Sequence, residues 1–101
     1  MMPELIYSKK FISDLNTFKN RKDLRKKIAK ALKFLEQNPH HPGLKIERIV
    51  NDPFAWSARI DKRYRISFEP LSYINETSPD WSFKIKILPI LDHDDLYKTP
   101  R

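Results

Sequence analysis

The stretch Phe54 to Glu69, FAWSARIDKRYRISFE, decides the fold. Read with a period of two, it places Trp56, Ala58 and Ile60, then Tyr64, Ile66 and Phe68, on one face. Ser57, Arg59, Arg65, Ser67 and Glu69 fall on the other, which is the alternation of two half-buried strands. Asp61, Lys62 and Arg63 interrupt the pattern with a polar junction short enough for a hairpin. Pairing Ile60 with Tyr64 sets Ala58 against Ile66, Trp56 against Phe68, and Arg59 against Arg65. Like charges directly opposite on a sheet are destabilising. The register therefore calls for a carboxylate or a bound anion at the arginine pair, and phosphate matches the planar fork of guanidinium.

Working outward toward the N-terminus, Leu44 to Val50, LKIERIV, reads as a further strand, turned into the hairpin by Asn51, Asp52 and Pro53. Before it stand His40, His41, Pro42 and Gly43, the only glycine of the chain. Lys22 to Gln37 carries Leu24, Ile28, Ala31, Leu32 and Leu35 along one helical stripe and ends at Asn38 and Pro39. Phe11, Ile12, Leu15 and Phe18 mark a shorter helix with Ser8 at its N-cap, after a first strand through Leu5, Ile6 and Tyr7. Two amphipathic helices need a cover, and the downstream sheet is the large candidate.

Toward the C-terminus, Pro70 to Trp81 reads as a long polar connection. Ser82 to Leu91 alternates Phe83, Ile85 and Ile87 with Lys84 and Lys86, and Pro89, which lacks a donor, belongs at an edge, a bulge or a strand end. Asp92, His93, Asp94, Asp95, Leu96 and Tyr97 precede a short basic tail. The expected architecture is α+β, a single domain over residues 1–101. An N-terminal strand and a helical hairpin pack on one face of an antiparallel sheet of three or four strands. The open face collects Arg59, Arg65, Lys84 or Lys86, and Glu47.

Composition narrows the function. A formal charge of +7 and a pI near 9.7 favour a polyanionic partner, either nucleic acid or an acidic protein. An apolar share of 40% and an aromatic share of 12% are those of a globular chain rather than a disordered one. Without cysteine there is no disulfide scaffold, thiolate metal site or thiol nucleophile. No stretch reads as a signal peptide or reaches membrane-spanning length, so a soluble cytoplasmic protein is expected. Lys19, Arg21, Lys22, Arg25, Lys26, Lys27, Lys30 and Lys33 make the second helix strongly basic. That is either a solvated outer face or a surface that tracks phosphates without reading sequence. His40 and His41 have no third ligand at metal spacing and read as loop residues, so neither a metal nor a cofactor is expected.

The order of strand, helical hairpin and sheet, together with HPGLKIERI, WSARIDKRYRISFE and the closing HDDLY, resembles the RelE/ParE superfamily of bacterial toxins from toxin–antitoxin modules. The likeness runs over nearly the whole chain. It implies one of two activities on a shared fold: RelE-like ribonucleases cut messenger RNA, commonly on the ribosome, whereas ParE-like members act on DNA gyrase. It also implies an antitoxin that wraps and silences the chain, and a third alternative is an inactive module that only binds that acidic partner. By the same resemblance, Arg59 and Arg65 match the arginines of the paired strands, His93 and Tyr97 match a closing His and Tyr, and Glu47 falls where some relatives carry a charged catalytic residue. The connection from Pro70 to Trp81, the interruption at Pro89 and the brief tail depart from the usual pattern.

Metal-independent RNA cleavage needs a base for the 2′-hydroxyl, cations for the crowded phosphorane, and an acid for the leaving 5′-oxygen. The expected assignment gives Arg59 and Arg65 the phosphate, His93 a proton, Tyr97 positioning or protonation, and Glu47 the role of reserve base. Lys45, Lys84, Lys86, Lys22 and Lys26 are the expected RNA-binding residues. His93 bonding a neighbouring aspartate, and Tyr97 packing at a sheet edge, are the structural alternatives.

Overall fold

The hairpin forms in the register that alternation dictates. In the computed structural model, which describes residues 3–49, 52 and 54–92, strand β3 (Trp56–Arg59) runs antiparallel to β4 (Tyr64–Pro70). Trp56 faces Phe68, Ala58 faces Ile66, and Arg59 faces Arg65. The turn is closed by Asp61, whose Oδ1 accepts from the backbone N–H groups of Arg63 and Tyr64, each at 2.8 Å. Aspartate thus supplies the turn chemistry that glycine or asparagine gives elsewhere.

Upstream, β1 (Glu4–Tyr7) leads into α1 (Lys9–Thr17) and α2 (Lys22–Gln37). Ser8 caps α1, its hydroxyl accepting from Phe11 N–H at 3.1 Å. Losing such a cap costs about 1 kcal/mol. Ser8→Ala is accordingly expected to lower the unfolding free energy by that amount, read as a lower urea midpoint with an unchanged m-value. Phe11, Leu24, Ile28, Ala31 and Leu35 pack from the helices onto Ala58, Ile66, Phe68, Ile85 and Ile87 of the sheet, all buried.

Three expectations change. The sheet has five strands in the order β1-β7-β4-β3-β2 and is mixed, because β1 runs parallel to β7 (Lys84–Asp92). Side-chain alternation assigns a strand its face and leaves its partner and direction open. Secondly, LKIERIV is not one strand. Pro42–Leu44 forms a 3-10 turn, Lys45 takes the left-handed conformation at φ 45, and only β2 (Glu47–Arg48) pairs with β3. Thirdly, the connection from Pro70 to Trp81 contains its own hairpin, β5 (Tyr73–Asn75) with β6 (Ser78–Pro79). Asn75 Oδ1 closes it by accepting from Thr77 N–H at 3.0 Å and Thr77 Oγ1 at 3.2 Å. Beyond it, Ser82 donates to Asp80 through its hydroxyl and then its backbone N–H, which holds the Asp80 carboxyl below its ordinary pKa. That stabilisation is present above the unfolded carboxyl's pKa and is lost as pH falls through the folded one.

Pro89 sits at a bulge. The β4–β7 register shifts between Ile66 and Phe68, Ser67 Oγ donates to the Pro89 carbonyl, and Asp14 of α1 accepts from Ile90 N–H at 3.1 Å. Side chains from two elements therefore satisfy the backbone where the ladder breaks. Among the described residues no helix is long and apolar enough to cross a membrane.

Candidate active site

Arg65 faces a residue of its own charge, Arg59, across the ladder, and its guanidinium is spent on Ser57 and Lys45 instead. Its Nε donates to Ser57 Oγ at 2.8 Å, and a terminal nitrogen donates to the Ser57 carbonyl at 3.3 Å and to the carbonyl of Lys45. Ser57 lies diagonal to Arg65 on the same face, within reach of a long side chain. Its small hydroxyl, opposite Ser67, leaves room for the guanidinium. Burying a cation is costly unless its donors are met. Here they are met, and Arg65 is 5% exposed.

That burial corrects the expectation of an open arginine face. The face away from the helices is closed at its centre by Ile49, Ala55 and Leu91, with Leu88 packed against them. Ser57, Arg65 and Ser67 are all buried there. Arg65 ties β4 to the left-handed segment at Lys45, so the residue fixes how β2 approaches β3. A lysine in the left-handed region carries strain that glycine relieves, partly offset by glycine's freedom in the unfolded chain. Lys45→Gly is expected to raise stability by on the order of 0.5 kcal/mol in chemical denaturation.

Arg59 behaves differently. It is half-buried, and among the described residues no hydrogen bond or ion pair is given to it. With Lys27 and Lys30 of α2, Phe34, His41 and Ile60 it lines an open groove of about 420 Å³. Among the described residues β2 pairs with β3 at Trp56 and Ser57 alone, and Arg59 and Ile60 of the groove lie beyond that pairing. His41 stacks on Phe34 with ring centroids 4.1 Å apart, and its Nδ1 accepts from Gly43 N–H at 3.0 Å. That bond assigns the ring proton to Nε2 in the neutral form. Three cations and an imidazole thus surround one concavity, and guanidinium and ammonium groups are the side chains that pair with anions.

Glu47 is exposed and stands opposite Ser57, on the arginine face. Lys22 and Lys26 are exposed on α2 but do not line the groove; their neighbours Lys27 and Lys30 do. Lys84 and Lys86 do not gather with the arginines. Lys86 pairs with Glu69, four residues along β4 from Arg65, which is roughly 13 Å at the usual strand rise. Lys45 contributes its backbone carbonyl to Arg65 and keeps an exposed side chain. His93 and Tyr97 lie outside the described residues.

No family model matches the chain, and no curated protein matches it. Solved structures do match. YafQ from E. coli, seen in the DinJ–YafQ toxin–antitoxin complex, superposes with a TM-score of 0.69 at 11% identity, covering 96% of this chain and 99% of that one. The YoeB/ParE toxin from Agrobacterium tumefaciens gives 0.67 at 16% identity, over 89% and 98% of the two chains. YoeB from Staphylococcus aureus gives 0.61 at 23% identity, over 88% and 94%.

The fold is that of these YoeB/ParE and YafQ toxins.

Within this toxin fold, sequence reasoning missed His41, Lys27 and Lys30 as members of one groove. His41 had been set aside as a loop residue. The signal was present in the spacing of Lys27, Lys30 and Phe34, which places them along one side of α2, where a stack on Phe34 holds the following imidazole. Asp80 and Tyr7, whose titrations are displaced, lie outside the groove. Tyr7 is pushed up by burial and then by Glu36.

Proposed function

We propose that this chain is the toxin of a toxin–antitoxin pair and a metal-independent endoribonuclease that cuts messenger RNA on the ribosome. The observation that supports it most is the division of labour between two facing arginines. Arg65 is consumed in holding the scaffold, and Arg59 remains at a basic groove where a phosphodiester fits.

In this mechanism Arg59, with Lys27 and Lys30 beside it, carries the charge that builds on the phosphate oxygens as the 2′-oxygen attacks phosphorus and the bond to the 5′-oxygen breaks. Arg65 acts as a positioning residue that sets Glu47 and Lys45 against β3. Glu47 accepts the 2′-proton, and a proton is delivered to the departing 5′-oxygen by His93, with Tyr97 orienting the strand. The products are a 2′,3′-cyclic phosphate and a 5′-hydroxyl. Lys22 and Lys26 extend the basic track along α2 and strengthen binding without selecting sequence. Solved relatives of this fold are recorded with antitoxins, as DinJ–YafQ and YoeB–YefM complexes. With a charge of +7 the partner of this chain is an acidic antitoxin.

Inducing the chain without its antitoxin and mapping transcript ends tests the reading. The expected result is growth arrest with new 5′-hydroxyl ends inside messages. Arrest with DNA damage and intact messages would instead identify a gyrase-directed toxin of the same fold.

A further inference from the structure

Beyond the sheet edge at β2, Phe54, Trp56 and Tyr73 line a second open groove, of about 480 Å³, whose other wall is Asn75, Glu76 and Thr77 of the β5–β6 hairpin. The rings are unusually available: Phe54 is 61% exposed and Tyr73 38%. The guanidinium of Arg48, which also lines the groove, stands 5.4 Å over the Trp56 ring. Asn75 Oδ1 is already engaged by Thr77, so its amide nitrogen is the atom left to bond a visitor.

The composition selects among visitors. A phosphate or an acidic peptide laid in this groove meets the carboxylate of Glu76. An aliphatic peptide meets a polar wall. An unpaired nucleobase finds flat rings for its faces, and for its edge a carboxylate acceptor suited to an exocyclic amino group, beside an amide donor. We infer that this groove binds one unpaired RNA base carrying an amino group on its Watson–Crick edge. The inference rests on the ribonuclease reading and gives it a specificity element. Arg48 belongs to the groove, and the adjoining Glu47 pairs with Ser57, the residue that receives Arg65.

The test uses the purified full chain with 2′-O-methyl hexanucleotides, which bind but cannot be cut, alongside transcript-end mapping after induction. Tyr73→Ala and Phe54→Ala alter exposed rings and are expected to keep the melting temperature. Each is expected to weaken oligonucleotide binding about tenfold, in line with the stacking energy of a single base. Glu76→Gln is expected to relax the preference for adenine, cytosine or guanine over uracil at one position near the mapped ends. Unchanged affinity and unchanged end preference in all three variants would overturn the groove and leave the nuclease standing. Absence of any cut message would overturn the nuclease, and the oligonucleotide titration would still decide the groove: Tyr73-dependent binding sustains it, and binding equal in wild type and Tyr73→Ala refutes it.

Discussion

Arg65→Ala is expected to destabilise the fold by about 2–4 kcal/mol, dropping the melting temperature by on the order of 10–20 °C for a domain of this size. The substitution removes the donors for Ser57 Oγ, the Ser57 carbonyl and the Lys45 carbonyl at once, in a region where Ser57 and Ser67 are also buried. Unmet acceptors away from water are expensive, and the vacated volume adds its own cost. Arg65→Lys keeps the charge but has one nitrogen where the guanidinium has a planar fork, so it should recover only part of the loss. Thermal unfolding of the three proteins checks this. Equal midpoints would mean that the 44–46 segment needs no tie to β4.

Arg59→Ala is expected to show the opposite profile. Cleavage of RNA should fall about 100- to 1000-fold, the usual consequence of removing one group aimed at developing charge. Stability should stay within about 0.5 kcal/mol, as for a half-buried side chain with no bonded partner among the described residues. It sits directly across the ladder from Arg65, so its removal even relieves a like-charge contact. Arg59→Lys should retain part of the activity, because an ammonium neutralises phosphate but cannot grip two oxygens in one plane. The pair of arginines thus separates cleanly: one variant is lost through folding and the other through chemistry.

The hairpin was legible because period-two alternation and a polar junction leave few registers in which Trp56, Ala58 and Phe68 all reach the helices. The helices were legible for the same reason, with Ser8 and Leu24 to Leu35 supplying the cap and the stripe. What alternation could not carry was strand partnership, so the parallel pairing of β1 with β7 needed coordinates. Nor does it report backbone hand: Lys45 in the left-handed region shortens the expected strand to Glu47–Arg48, and no residue-level preference marks a lysine for that role. At the site, opposition of Arg59 and Arg65 was readable, yet its resolution was not. The sequence suggested a carboxylate or a bound anion shared by the pair. The molecule instead folds Arg65 down onto Ser57 and leaves Arg59 to the groove, a choice that depends on the small Ser57 and on a carbonyl twenty residues away in the chain.

The most direct measurement is to express wild type and Arg59→Ala at matched amounts of folded protein and count cut messages by the 5′-hydroxyl ends they carry. The account predicts abundant internal ends for the wild type and almost none for the variant, with superimposable melting curves. Equal numbers of ends from both proteins would contradict it.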